Sequence, residues 1–145
     1  MEAGDCEMGE GKHNGRKILV MDDDELIREL LEKILTAHGY LVEVAEEGEQ
    51  AVEIYKCAQA AGRAFDALIL DLTIPGGIGG RETLKRIRML NRDVIAIVCS
   101  GYSDDGVMSR YREHGFSAAV AKPFGVHDLI AALQNVMAKA SNELQ

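Results

Sequence analysis

The chain has 145 residues, of which 47% are apolar, and this suffices for one domain of ordinary size with a single core. Its 16 basic and 24 acidic residues give a net charge of −8, so its surface repels nucleic-acid phosphates and anionic lipid. No apolar run approaches the roughly 20 residues of a membrane span, and we therefore expect a soluble cytoplasmic protein that binds neither nucleic acid nor membrane directly.

The first 16 residues are polar and glycine-rich, without the apolar stretch of a secretory signal. We interpret residues 1–16 as a flexible tail or linker, residues 17–140 as the folded domain, and residues 141–145 as a C-terminal tail. The chain has three cysteines without CxxC spacing: Cys6, Cys57 and Cys99. This odd number favours reduced thiols over a disulfide framework or a zinc site.

Five short apolar segments recur along the chain and predict β-strands. They are Lys17–Met21, Leu41–Ala45, Ala67–Leu70, Val94–Val98 and Ala118–Ala121. Three of them are almost continuously apolar, which is typical of strands buried on both faces of a parallel sheet. The mixed segment Leu41–Ala45 is typical of an edge strand.

Between these segments the apolar residues follow a helical period. The clearest apolar stripes lie within residues 26–35 and 126–137, and weaker ones within 51–58 and 84–90. The segment Asp105–Glu113 has few apolar residues, so its helix is expected to be the least securely anchored. The repeated patterns His38-Gly39-Tyr40 and His114-Gly115-Phe116 predict two helix ends. Strands and helices that alternate in this way predict a doubly wound α/β sandwich.

Polar residues follow four of the predicted strands. They are Asp22, Asp23 and Asp24 after the first, Asp71 after the third, Ser100 after the fourth and Lys122 after the fifth. Taken singly, each has an ordinary explanation as a cap, a turn residue or a solvated side chain. Because the carboxyl ends of parallel strands form the ligand-binding edge of such a sheet, we expect these side chains to converge.

The converging carboxylates predict a metal-assisted phosphate chemistry. Two like charges ~4 Å apart repel by ~4 kcal/mol at an effective dielectric near 20, and a divalent cation offsets this repulsion. Oxygen ligands without His or Cys favour Mg²⁺, with Mn²⁺ as the second choice. Asp71 is best placed as a nucleophile that forms an acyl phosphate. Lys122 and Ser100 would contact the oxygens of the transferred group, and no phosphate-binding loop motif supports a nucleotide as direct donor.

Four motifs in register resemble the receiver domain of two-component response regulators. They are Ile18–Glu25, Asp71–Pro75, Cys99–Gly101 and Ala121–Phe124. The resemblance covers Lys17 to about Lys139 and implies the flavodoxin-like fold, a five-stranded parallel sheet of order 2-1-3-4-5 with five helices. The glycine-rich loop Thr73–Gly80 resembles those of receivers in hybrid sensor histidine kinases.

The resemblance also implies a function. A histidine kinase or histidine phosphotransfer protein would donate a phosphoryl group to Asp71 in a Mg²⁺-dependent reaction, and the domain would then switch conformation. Asp23 and Asp71 would bind Mg²⁺ directly, Asp22 through water, and Thr73 through its backbone carbonyl. The domain would act as a phosphorylation switch and not as a turnover enzyme, and its output would be a partner protein because no effector domain follows Gln145.

The same resemblance assigns Ser100 and Lys122 to the phosphoryl group and predicts a cis peptide before Pro123. The chain departs from the family pattern in two respects. Ala119 stands where many receivers have an aromatic switch residue, and we hypothesise that Tyr102 fills part of that space. Thr73 and Tyr102 occupy positions that in the family influence how quickly water removes the phosphoryl group.

Two alternatives belong to other functional classes. A haloacid-dehalogenase-like phosphatase or phosphotransferase would use an aspartyl phosphate directly after the first strand, and Asp22-Asp23-Asp24 contains its Asp-x-Asp spacing. An unphosphorylated interaction module is disfavoured because every acidic and basic site position is present.

Overall fold

The structure, a computed structural model, describes residues 15–101 and 106–143. Strands and helices alternate along these residues. The strands are β1 (Lys17–Met21), β2 (Leu41–Ala45), β3 (Ala67–Asp71), β4 (Ala96–Ser100) and β5 (Ala118–Ala121). The helices are α1 (Glu25–Ala37), α2 (Gly48–Ala60), α3 (Gly80–Leu90), α4 (Gly106–Ser109) and α5 (Val126–Glu143).

The strands form one parallel sheet in the order β2-β1-β3-β4-β5. This order confirms the flavodoxin-like fold that the sequence predicted. Every residue of β3 and β4 is buried, whereas β2 lies at the edge and has exposed residues. Helices cover both faces of the sheet, and its central strands are apolar up to their last residues, Asp71 and Ser100.

The core consists of two apolar layers, one on each face of the sheet. Alternate residues of β1 divide between them, with Leu19 and Met21 on one face and Ile18 and Val20 on the other. The first layer includes residues of α2 and α3, and the second includes residues of α1 and α5. The layers hold the carboxyl ends of β1, β3, β4 and β5 at one edge of the sheet.

The predicted start of the fourth strand differs from the observed one. β4 begins at Ala96, two residues after the predicted start at Val94. Val94 is buried, but its carbonyl oxygen accepts a hydrogen bond from the Arg88 guanidinium instead of a strand partner. The apolar pattern detected burial here, and burial by itself does not distinguish a strand from the turn that enters it.

Helix α1 buries only part of its predicted stripe. Leu31 and Leu35 are buried, whereas Leu26 and Leu30 are 74% and 47% exposed. Consecutive residues lie about 100° apart around a helix, so Leu30 points well away from the face that Leu31 turns to the sheet. The apolar face predicted for α1 is thus wider than the face that packs against the sheet. Leu26 and Leu30 therefore stay exposed, near the carboxyl end of β1.

The fourth helix is a single short turn of helix. α4 covers Gly106–Ser109, and within it only Val107 is buried. The chain continues in turns up to Gly115. The sparse apolar content of this segment therefore corresponds to a short helix, and Asp105 at its predicted start lies outside the described residues.

The two motifs predicted to end helices make the same backbone hydrogen bonds, although only the first follows a helix directly. The second closes the turns that continue from α4, which itself ends at Ser109. Tyr40 N–H donates to the Leu35 carbonyl and Gly39 N–H to that of Thr36, and Phe116 and Gly115 make the equivalent bonds to Tyr111 and Arg112. Gly39 and Gly115 both have φ of +92°, the left-handed conformation that this motif requires. Tyr40 and Phe116 are buried behind the turns.

Three other expectations concern the two tails, the cysteines and the absence of a membrane span. α5 reaches Glu143, while the interpretation of residues 1–16 and 141–145 as tails stays a prediction. Cys57 and Cys99 are free thiols, and Cys6 lies outside the described residues. None of the helices in the described ranges is both long and apolar enough to cross a membrane.

Glycine is required where α3 starts against β3. A Cβ on Gly79 would collide with the Leu72 carbonyl oxygen. We therefore expect Gly79→Ala to lower the free energy of unfolding by about 1–3 kcal/mol, the usual cost of overpacking, as measured by urea denaturation. Gly106→Ala is the matched control, because a Cβ at Gly106 meets no atom within 4 Å. Equal stability of the two variants would contradict this packing argument.

Candidate functional site

The carboxyl edge of the sheet brings together residues from four strand ends. Asp22 follows β1, Asp71 is the last residue of β3, and Ser100 is the last of β4. All three are buried, with exposures of 2%, 7% and 1%. Lys122 follows β5 and is half-buried, and its backbone N–H donates to the Ser100 carbonyl at 2.9 Å.

Three carboxylates converge at this edge. One oxygen each from Asp22, Asp23 and Asp71 lies within 4.8 Å of the others. Asp22 and Asp71 are buried, while Asp23 is exposed and leaves the cluster open on one side. A compact set of hard oxygen donors with an open side suits Mg²⁺, which keeps several of its water ligands. The observed geometry thus fits the predicted metal.

Lys122 connects the two buried carboxylates. Its Nζ lies 2.7 Å from Asp22 Oδ2 and 3.3 Å from Asp71 Oδ2. Burial lowers the pKa of Lys122, but hydrogen bonds and negative charge from Asp22 and Asp71 outweigh it and raise the pKa above its usual 10.5. The side chain is therefore an ammonium held between two carboxylates, and any cation at Asp22 competes with it.

Asp71 has an unusual protonation equilibrium. Burial, followed by the negative charge of Asp22, raises its pKa from 3.8 to about 6. The charge and hydrogen bond of Lys122, and the backbone N–H of Thr73, counteract this only in part. Burial thus disfavours the ionised form of Asp71, the residue predicted to be the nucleophile. Additional positive charge nearby would favour the ionised form.

The neighbouring loops are shaped around the same carboxylates. Asp24 N–H donates to Asp22 Oδ1 at 2.9 Å, and Asp24 itself caps α1 by accepting from Leu26 N–H. Thr73 N–H donates to Asp71 Oδ1 over a long 3.4 Å, and the Thr73 side chain is exposed. The Lys122–Pro123 peptide is cis, as predicted.

One contributing residue was not identified from the sequence. Arg28 of α1 donates from Nη1 to the Asp22 backbone carbonyl at 2.9 Å, and its Nη2 lies 3.8 Å from Glu46. It fixes the loop after β1 from the helix side and adds positive charge near the carboxylates. The sequence does carry a signal for this residue. The helix dipole favours acidic residues near the start of a helix, so a single arginine there, soon after a run of acidic residues, indicates a specific partner.

The two departures from the family pattern have different outcomes. Ala119 lies in β5, pairs with Val98 and is half-buried against the core layer that contains Val107. Tyr102 lies outside the described residues, so its suggested occupation of the space beside Ala119 stays a hypothesis.

Comparison with known proteins adds evidence that is independent of this geometry. The family model described as "Response regulator receiver domain" matches residues 18–134. Sporulation initiation phosphotransferase F of Bacillus subtilis is 30% identical over 87% of this chain and 97% of its own length. Response regulator MprA of Mycobacterium ulcerans is 32% identical over 88% of this chain and 52% of its own length, so the chain spans about half of that relative.

Solved structures have the same fold. The non-phosphorylated HemR receiver domain of Leptospira biflexa aligns with a TM-score of 0.72 and 27% identity, over 84% of this chain and 94% of its own. A chain of the CheX–CheY–BeF3–Mg complex of Borrelia burgdorferi aligns with a TM-score of 0.75 over 83% and 88% of the two chains. Its identity is 23%, and that similarity concerns the fold alone.

The raised pKa of Asp71 predicts a pH-dependent stability in the absence of divalent cations. The folded protein holds the Asp71 proton up to about pH 6, whereas the unfolded chain loses it near pH 3.8. The free energy of unfolding should therefore contain a contribution that decreases from pH 4 to pH 6 and stays low above. Asp71→Asn should be more stable than the wild type by about 3 kcal/mol at pH 7.5 in EDTA, and this difference should vanish below about pH 3.

Urea denaturation at several pH values measures this difference. Asp93→Asn, a substitution of an exposed loop carboxylate, is the control and should follow the wild type throughout. A wild type that is as stable as Asp71→Asn at pH 7.5 would contradict the expected desolvation of Asp71.

Proposed function

This chain belongs to the response regulator receiver domain family, and from that membership we propose that its Asp71 carboxylate accepts a phosphoryl group from a phosphohistidine. Receiver domains are the phosphoacceptor switches of two-component signalling, so the chain is a signalling domain of that class. The observation that carries the choice of acceptor is the contact of Asp71 with both Lys122 and the other carboxylates at the sheet edge. The donor would be a histidine kinase or a histidine phosphotransfer protein.

The proposed reaction is an exchange of one bond to phosphorus for another. An Asp71 carboxylate oxygen attacks the phosphorus, the bond between phosphorus and the histidine nitrogen breaks, and that nitrogen keeps the electron pair. Only the ionised carboxylate can attack, and the pKa of about 6 leaves most of Asp71 ionised at neutral pH. Nearby positive charge increases the ionised fraction further.

We propose that Mg²⁺, or Mn²⁺ in its place, binds to Asp23 and Asp71 directly, to Asp22 through water and to the Thr73 backbone carbonyl. The cluster of three carboxylate oxygens within 4.8 Å supports this ligand set. When bound, the cation would neutralise charge that otherwise repels an incoming phosphoryl group. The cation-bound water at Asp22 would compete with Lys122 for this carboxylate, so the contact of Lys122 Nζ with Asp22 Oδ2 would weaken.

Lys122 and Ser100 are proposed to hold the transferred group. Lys122 Nζ already lies 3.3 Å from Asp71 Oδ2, which is within reach of an oxygen attached to a phosphorus at that position. Ser100 ends the strand next to β3, and its neighbour Cys99 pairs with Asp71 in the sheet register. Burial raises the pKa of the Cys99 thiol to about 12, so this sulfur stays protonated and does not compete as a nucleophile.

We propose that the domain assists only its own phosphorylation and dephosphorylation and turns over no separate substrate. The family match supports a phosphoacceptor switch and gives no support to the haloacid-dehalogenase-like alternative. Free thiols at Cys57 and Cys99 suit the reducing cytoplasm, where we place the protein with its donor.

The phosphohistidine protein is proposed to dock on α1. To reach Asp71, its histidine must pass the rim of the site, and α1 begins on that rim directly after Asp22–Asp24. Leu26 and Leu30 are one helical turn apart and are 74% and 47% exposed. Exposed apolar side chains beside a site that a second protein must enter are typical anchors of a protein interface.

Labelling with acetyl phosphate tests the acceptor. We expect radiolabelled acetyl phosphate with Mg²⁺ to label the wild type and Asp93→Asn equally. Asp71→Asn should remain unlabelled, because its amide is not a nucleophile, and EDTA should prevent labelling of the wild type. Full labelling of Asp71→Asn would refute the assignment, and steady hydrolysis of small phosphate esters would favour the phosphatase alternative.

A comparison of two phosphodonors tests the docking face. We expect Leu26→Glu with Leu30→Glu to slow phosphoryl transfer from a phosphorylated histidine phosphotransfer protein at least tenfold, while acetyl phosphate labelling stays within twofold. Met89→Glu, which changes a side chain of α3 that is 85% exposed, is the control. Equal slowing with both donors would show that the leucines affect the site itself and would contradict their role in docking.

A further inference from the structure

Helix α3 concentrates positive charge in a protein whose net charge is −8. Its 11 residues contain four basic side chains and one acidic side chain: Arg81, Lys85, Arg86 and Arg88 against Glu82. Residues 22–53, by contrast, contain eleven acidic and two basic residues. Acidic and basic residues are therefore concentrated in different parts of this chain. The proposed phosphoryl transfer to Asp71 does not involve the basic residues of α3.

The four cations of α3 differ in their contacts. Arg86 pairs with Glu82 at 3.2 Å. Arg88 donates from Nη2 to the carbonyls of Val94 at 3.1 Å and Gly115 at 2.8 Å, and so ties the helix to the turn before β5. Within residues 15–101 and 106–143, Arg81 and Lys85 make no hydrogen bond or ion pair, and both are exposed. These two cations are available to a ligand.

Arg81 and Lys85 lie on one side of a groove. Together with Arg88 they have the spacing i, i+4, i+7, which places them on one face of the helix. The groove has a volume of about 640 Å³, and its opposite wall contains Glu113, His114 and Gly115. The Glu113 carboxylate lies 3.8 Å from Arg110, which offsets its charge. Glu82 also lines the groove, and its carboxylate is paired with Arg86 at 3.2 Å. Since both acidic side chains of the lining have a basic partner, the groove presents the positive charge of Arg81 and Lys85.

Met89 adds an apolar contact at the far end of this face. It lies one turn after Lys85 and is 85% exposed, more than the other exposed large apolar side chains of the described residues. A ligand that satisfies the whole face would carry carboxylates opposite Arg81 and Lys85 and an apolar group opposite Met89.

We propose that this groove binds a short acidic segment of a partner protein, with Asp or Glu side chains on Arg81 and Lys85 and an apolar side chain on Met89. The helix from Arg81 to Met89 is about 12 Å long, which about four residues of extended chain cover. A nucleic acid or a membrane extends far beyond that length and would meet the acidic remainder of the surface.

The groove does not include the candidate phosphoacceptor, but α3, which forms one of its walls, starts close to that residue. α3 starts at Gly80, whose backbone N–H donates to the Leu72 carbonyl at 3.2 Å, one residue after Asp71. None of the groove residues belongs to the carboxylate cluster. The inference therefore does not rest on phosphorylation, and its test uses the unphosphorylated protein.

Fluorescence anisotropy with a labelled peptide Glu-Glu-Leu-Asp-Glu-Glu tests the proposal. We expect saturable binding that weakens as salt increases, and no binding of the matched peptide in which Gln and Asn replace Glu and Asp. Arg81→Glu with Lys85→Glu should weaken binding at least tenfold. Lys33→Glu with Lys56→Glu changes the net charge equally at exposed sites on α1 and α2, and should weaken binding less than twofold.

The milder pair Arg81→Gln with Lys85→Gln keeps the test valid if the charge reversal unfolds the protein, and circular dichroism checks the fold of each variant. Absence of peptide binding would overturn the proposal, and so would equal losses in the two reversed pairs, which indicate only a net-charge effect. Tighter binding to phosphatidylglycerol vesicles or to duplex DNA, lost in Arg81→Gln with Lys85→Gln, would replace the acidic protein segment by another ligand.

Discussion

The ammonium of Lys122 between the carboxylates of Asp22 and Asp71 is the interaction on which the site depends. Two buried carboxylates at one sheet edge are unfavourable without a nearby cation, because both desolvation and mutual repulsion disfavour their ionised forms. The loop after β5 supplies that cation from a position 100 residues beyond Asp22. The order of the strands in the sheet thus has an electrostatic consequence, since it joins the ends of β1, β3 and β5 across the fold.

The positive charge of Lys122 offsets only part of the burial and repulsion that disfavour the ionised form of Asp71. The pKa of Asp71 stays near 6 although Lys122 and a backbone N–H both favour its anion. The surroundings then fix the geometry: Arg28 holds the loop after β1, Asp24 caps α1, and the glycines before α3 let that helix start against the backbone of Asp71 and Leu72. A rigid edge with a deficit of positive charge is suited to take up a divalent cation and then a phosphoryl group.

The two proposed binding surfaces differ in charge and polarity. The phosphohistidine protein is proposed to dock on the exposed leucines of α1, and the acidic segment on the basic face of α3. The exposed Leu26 and Leu30 belong to α1, which begins just after Asp22 and Asp23 of the carboxylate cluster. The cationic face of α3 lies on the opposite layer of the sandwich, across a groove from the turns that follow α4. The two surfaces are connected through β3, since both α3 and the acceptor are positioned by its carboxyl end. A domain of this size can therefore contact a donor and a target without overlap.

The amino-acid sequence predicts the alternation of strands and helices, the end of α1 near Gly39, the matching glycine turn at Gly115, and the identity of the residues at the strand ends, because these depend on local apolar period and backbone conformation. It predicted the convergence of Asp22, Asp23 and Asp71 only through the rule that parallel strands end at one edge. Packing of the layers sets which atoms meet. Lys122 contacts both buried carboxylates, Arg28 binds the Asp22 carbonyl, and Arg88 binds the carbonyl of Val94, which precedes β4. Packing also leaves Leu26 and Leu30 exposed. Local pattern cannot fix such features, because burial and charge pairing depend on how far the neighbouring elements extend, and that is settled only when the layers pack together.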